Sequence, residues 1–95
     1  MNNVERKFYK KAVKRGGLLL FEKGIALDFI DVCQKQNIAI LGIDGFYLAE
    51  RETQPSMINS IDFEKTLPLE NRFQKAKDFI NSRGSNLHWE IICDT

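Results

Sequence analysis

The sequence predicts an α+β fold, a small, mostly antiparallel sheet of three or four strands with about three helices packed on it. Three observations predict it. Apolar residues recur at three- and four-residue steps in separate segments near the start, in the second quarter and late in the chain. Residues 87–94 alternate at period two, and a short β-branched run at 38–41 lies between the second and third helical segments. One face on each helix and one or two on each strand must be buried, and a sheet covered by helices does that most simply. The chain has 95 residues and 11.0 kDa, enough for one domain over 1–95 with a core of its own. With 43% apolar and 28% charged residues the composition is close to the globular average and argues against disorder and low complexity.

The first helix is predicted over about 3–15. Val4, Phe8, Tyr9, Ala12 and Val13 share a stripe, and Asn2 stands three residues before Glu5 at the spacing of a capping box. Lys14 and Arg15 fall in its last turn, and Gly16-Gly17 stops it. A second helix carries Leu20, Ile25, Ala26, Phe29, Ile30 and Cys33 on one face, with Asn37 suited to a left-handed terminus. Ile38-Ala39-Ile40-Leu41 then reads as a strand buried on both faces. Asp44-Gly45 signals a tight hairpin turn, with Phe46 to Ala49 returning. Residues 50–60 are polar, contain Pro55 and read as a loop, with a short edge strand at 60–64. Pro68 opens a third helix carrying Leu69, Phe73, Ala76, Phe79 and Ile80, and Gly84 ends it. In the final strand Leu87, Trp89, Ile91 and Cys93 point one way, and His88, Glu90, Ile92 and Asp94 the other. Phe29, Ile30, Leu41, Phe73, Phe79, Ile80, Trp89 and Ile91 are the expected shared core.

Catalytic patterns are missing. His88, the single histidine, sits inside a strand with no serine or cysteine nucleophile motif around it. Cys33 and Cys93 lie on apolar faces, where cysteine behaves as a small inert hydrophobe. One histidine and two separated cysteines do not match a zinc spacing, and Gly42-x-x-Gly45 lacks the Lys-Ser/Thr of a phosphate loop. No enzymatic activity, cofactor or metal is expected. No unbroken apolar run exceeds four residues, so no membrane span is expected. Two cysteines without a secretory leader point to a reducing, cytoplasmic location.

The net charge of +1 conceals a division. Residues 1–23 carry +5, residues 24–49 carry −2, residues 50–70 carry −3 and residues 71–95 carry +1. The basic segment (Arg6, Lys7, Lys10, Lys11, Lys14, Arg15) forms an exposed helical face that would suit phosphates, or simply a solvated face.

The stretch Ile38-Ala39-Ile40-Leu41-Gly42-Ile43-Asp44-Gly45-Phe46-Tyr47-Leu48 follows an acidic amphipathic segment, Ala26-Leu27-Asp28-Phe29-Ile30-Asp31. A Pro-containing loop, an amphipathic helix and a terminal strand follow. This order resembles small immunity proteins of bacterial polymorphic-toxin and contact-dependent growth inhibition systems, in which a helix leads into an "ILGGDxY"-like strand and turn. The likeness covers most of residues 20–95. Gly42, Asp44 and Tyr47 match the motif in a structural role, whereas Ile43 replaces its second glycine and Gly45 is interposed before Phe46-Tyr47. Such a resemblance implies a toxin inhibitor acting by protein–protein interaction, each member binding one cognate toxin C-terminal domain, often a nuclease, in the cytoplasm. The expected toxin-binding residues are Tyr47, Glu50, Glu52, Asp62 and Glu64, whose carboxylates would oppose a cationic active-site cleft. A monomer without direct nucleic-acid or membrane contact is expected. The alternative is a nucleic-acid-associated regulatory module using the basic N-terminal helix.

Overall fold

The computed structural model describes residues 2–94. Helix α1 spans Asn3–Phe8 and starts on the expected capping box. Asn2 Oδ1 accepts from the Glu5 backbone N–H at 2.8 Å, and the Glu5 carboxylate accepts from the Asn2 N–H at 3.1 Å. The helix does not continue to residue 15. After one 3-10 turn at Tyr9–Lys11 the chain forms a hairpin, β1 (Val13–Arg15) with β2 (Leu18–Leu20). The reason is Gly16-Gly17, at φ +54° and +85°, which supplies the two positive-φ positions of a tight hairpin turn. Leu20, expected in the second helix, therefore belongs to β2.

Helix α2 spans Lys23–Gln36 and ends where predicted, on Asn37 at φ 57°. The N–H groups of Asn37 and Ile38 turn back to the Gln34 and Cys33 carbonyls at 3.2 and 2.9 Å. Helix α3 spans Leu69–Asn81 with Pro68 at its N-cap. The main sheet has the order β4-β3-β5, all antiparallel, with β3 at Ile40–Leu48, β4 at Thr53–Asp62 and β5 at Leu87–Cys93. The architecture is a compact α+β globule of three helices, a three-stranded antiparallel sheet and a two-stranded hairpin.

Two expectations fail in the middle of the chain. Asp44-Gly45 is not a turn: β3 runs straight through it and turns only after Leu48. Gly45 is required instead for close approach, since a Cβ there would lie 2.9 Å from the Asn59 carbonyl oxygen and 3.0 Å from the Trp89 ring. Residues 50–60 are not a loop either; most of them, with residues 60–62 of the predicted 60–64 edge strand, form β4, which ends at Asp62. Its polar composition and Pro55 are those of an edge strand, where one side of the backbone faces solvent.

The core lies between α2, α3 and the sheet. Phe8, Phe21 and Phe29 form an aromatic group with ring centroids 5.2–6.4 Å apart. Ile30, Phe73 and Ile80 from the helices meet Ile43, Trp89 and Ile91 from the sheet. Phe79 is only partly buried, and Leu41, expected inside, is 42% exposed. The register shifts between Ile40 and Gly42, so Leu41 falls at an irregularity that turns it outward.

Phe21 extends the sheet beyond β5, exchanging backbone hydrogen bonds with Trp89 at 2.8 and 2.9 Å. Leu20 and Phe46 are buried but lie outside the helix-side core. Alternation places each opposite a core-facing neighbour, Phe21 and Gly45, and so on the other face of the sheet. Arg15 donates to the Ala49 carbonyl at 2.9 Å, tying the β1–β2 hairpin to the β3–β4 turn.

Candidate interaction surface

The antiparallel β3–β4 hairpin decides where the expected binding residues lie. Leu48 pairs with Thr53 at the turn end and Gly42 with Asp62 at the other. At about 3.3 Å per residue the two ends are roughly 20 Å apart. Glu50 and Glu52 occupy the turn, Tyr47 lies just before it, and Asp62 and Glu64 are at the far end. All five are exposed. The expected single acidic loop is therefore two separate places, because the segment that was to carry it is a strand.

The register builds a different acidic cluster. Gly42 lies between Asp62 and Ile92, and Asp44 between Ser60 and Glu90. Directly paired residues and their alternate neighbours share a face, so Asp62, Asp44 and Glu90 stand together on the side away from the helices. Gly42 leaves the gap over which the Asp62 carboxylate lies, with Oδ1 2.8 Å from where a Cβ would be. Exposed Leu41 and Ile92 adjoin the cluster. Among the described residues none of the three carboxylates enters an ion pair; the pair formed elsewhere joins Lys77 and Asp31.

Glu90 carries the cost of this arrangement. Burial first, and then the charges of Asp44 and Glu5, push its pKa above the usual glutamate value. A raised folded-state pKa means that stability is fully present below the ordinary glutamate range and is lost as pH rises through the shifted value. Glu90→Gln is therefore expected to melt higher than the parent at pH 7, with the difference closing towards pH 4. Thermal melts across that interval check it, and a lower Tm for the variant at pH 7 would show that the carboxylate is instead favourably held.

Strand β4 carries a three-residue bulge. Ser56 pairs with Gly45 and Ser60 with Asp44, so Met57, Ile58 and Asn59 bulge from the strand between two consecutive residues of β3. Met57 and Ile58 are 85% and 81% exposed, the most exposed large apolar side chains described. The only sequence signal for them is an apolar pair inside an otherwise polar stretch.

The basic N-terminal segment does not form one helical face. Arg6 and Lys7 are on α1, Lys10 and Lys11 on the 3-10 turn, and Lys14 and Arg15 on β1. Lys14 lies 4.3 Å from the centre of the Tyr9 ring, and Arg15 is bonded to the β3–β4 turn. His88 is a half-buried strand residue paired with Phe46, its Nδ1 buried without a hydrogen-bond partner. The cysteines, read separately in the sequence, meet in the fold. The Cys33 thiol is driven up by its hydrogen bond to Cys93 and then by burial. Cys93 is lowered chiefly by that bond, with burial opposing and the Asn2 amide, 3.1 Å away, assisting. Among the described residues no group of three or more His, Cys, Asp or Glu is placed to hold a metal ion, and no helix is long and apolar enough to cross a membrane.

The arrangement defines a small α+β domain with an acidic sheet face and a projecting apolar bulge. No protein-family model matches the chain, and no curated protein is significantly similar to it.

Proposed function

We propose that this chain is an immunity protein, a monomeric cytoplasmic binding protein that neutralises a cognate toxin domain, often a nuclease in such systems, by covering its active site. The observation that carries the proposal is the cluster of Asp44, Asp62 and Glu90 beside exposed Leu41 and Ile92. Like charges directly opposed across strands destabilise a sheet, and a cationic partner reverses that effect. A nuclease cleft must present cations to phosphate, so this face has the complementary sign, which accelerates capture. The binding role uses the exposed surface and requires no catalytic group of the chain's own.

The test is binding and growth protection against the toxin domain encoded beside this chain's gene. Asp44→Lys/Asp62→Lys is expected to weaken binding by about 100-fold or more, the scale of losing close interfacial charge pairs. Glu50→Lys/Glu52→Lys is expected to change it by less than about fivefold, as for rim charges. Unchanged affinity in the first pair, with both variants folded, rejects this face as the site. The second reading, a nucleic-acid-associated module, rests on the exposed cations Arg6, Lys7, Lys10 and Lys11. It requires nucleic-acid binding with a steep inverse dependence on salt that Arg6/Lys7/Lys10/Lys11→Glu removes.

A further inference from the structure

We infer that Met57 and Ile58 form a preorganised anchor that inserts into an apolar, cation-rimmed pocket on a partner protein. The inference rests on the binding role proposed above and adds where the apolar energy of that contact resides. The bulge is built rather than loose. Asn59 Nδ2 donates to Ser56 Oγ at 2.8 Å, and Ser60 Oγ donates to the Ser56 carbonyl at 3.1 Å. Arg83 Nε donates to Asn59 Oδ1 at 2.8 Å while its guanidinium lies 4.2 Å from the centre of the Phe79 ring. Ser56 and Asn59 are themselves buried, and Gly45 provides the space in which Asn59 sits. Buried polar side chains and a helix-side arginine thus hold two apolar side chains out in water. Rigid presentation removes part of the ordering entropy that binding otherwise costs.

The chemistry of the partner follows from the surroundings. The bulge interrupts the outer ladder of β4, so a partner strand cannot pair continuously along this edge. Recognition by inserted side chains remains. Asp44 stands opposite Ser60 beside the bulge, and Asp62 lies two residues further along β4. A pocket that accepts Met57 and Ile58 therefore meets carboxylates at its margin and must be lined by Lys or Arg there. The nearby cation on this chain, Arg83, is engaged with Asn59 and Phe79.

The test uses the full chain with a photoreactive benzoylphenylalanine in place of Met57, and in place of exposed Gln74 on α3 as control. It is irradiated with the purified adjacent-gene toxin domain and also in cells that naturally express the chain. Cross-linking from position 57 to the toxin domain, but not from 74, together with at least about 100-fold weaker binding by Met57→Ser/Ile58→Ser, supports both the anchor and the toxin reading. Toxin binding that persists unchanged in the double variant overturns the anchor and leaves the toxin reading standing. Cross-linking to a different basic protein, whose purified form loses the same affinity with the double variant, supports the anchor and overturns the toxin reading. Cross-linking only to a second copy of the chain, or no product above the position-74 control, overturns the anchor. Because both side chains are almost fully solvated, the double variant is expected to keep the parental Tm, which separates lost binding from lost folding.

Discussion

Trp89→Ala is expected to destabilise the fold by about 4 kcal/mol, within the range for removing a fully buried large aromatic. Trp89 has no exposed surface and belongs to the buried core cluster. Its ring meets Phe79 edge-on at 5.9 Å, it covers Gly45 of the central strand, and its backbone is bridged to Phe21. A cavity there borders both Phe79 of helix α3 and Gly45 of strand β3. The indole Nε1 is buried without a hydrogen-bond partner. Trp89→Phe therefore removes volume but no polar contact, and is expected to cost only about 1–2 kcal/mol. Urea unfolding of the two variants checks the pair. A Trp89→Ala cost under about 1.5 kcal/mol would place the packing centre elsewhere. Since domains of this size hold only about 5–15 kcal/mol in all, the alanine variant should sit close to the folding threshold.

The second large effect belongs to Arg72. Its guanidinium is buried, has no carboxylate partner among the described residues and binds backbone carbonyls instead. Nε donates to Leu67 at 2.9 Å, and Nη2 donates to Glu64 at 3.0 Å and Lys65 at 2.9 Å. Nη1 reaches the Ile40 carbonyl at 3.5 Å. One side chain thus folds the connection between β4 and α3 and joins it to the start of β3. Arg72→Ala leaves these carbonyls without their donor and is expected to cost about 3 kcal/mol, since hydrogen bonds to a charged group are each worth roughly 1.5–3 kcal/mol. Arg72→Lys should recover less than half of that, because a single ammonium cannot span the fork. Chemical denaturation measures the total. Hydrogen exchange at the Leu67 amide, bonded to Glu64, should quicken before global unfolding. A loss below about 1 kcal/mol would mean that water replaces the guanidinium freely.

How far the sequence disclosed this fold depended on whether a signal was local. The Asn2–Glu5 capping box, the Asn37 terminus and the Pro68 start each act within one turn, and each appears where expected. The alternation from Leu87 to Cys93 was equally legible because Leu87, Trp89 and Ile91 on one face of β5 are buried and Cys93 is partly so. The two glycine signals were read in the wrong sense. Gly16-Gly17 makes a turn between strands, and Gly45 admits a neighbouring strand and a tryptophan. Nothing in a dipeptide distinguishes those uses; the deciding atoms, in Asn59 and Trp89, come from elsewhere in the chain. Strand β4 was hidden because three bulged residues break its alternation and its outer edge tolerates proline. The acidic cluster was hidden for a related reason. Asp44, Asp62 and Glu90 come from three strands, and only the register places them together. Of the residues expected to bind, Asp62 alone belongs to that cluster.

Strand β5 has a consequence for the order in which the molecule assembles. It is hydrogen-bonded on both sides, to β3 along one edge and through Trp89 to Phe21 on the other, and both neighbours lie far earlier in the chain. The two hairpins and the helices are local structures that form quickly, whereas β5 must close long loops before any of its pairings stabilises it. Its docking is therefore expected to be a late event, which pulse-labelling hydrogen exchange at the β5 amides would check. Until it happens Asp44 has no Glu90 beside it, Gly45 has no tryptophan above it, and the helices have half a sheet to rest on. A chain caught before that step would carry the bulge and the Asp44 and Asp62 carboxylates but not Glu90 beside them, so the full acidic face is completed only with the finished core.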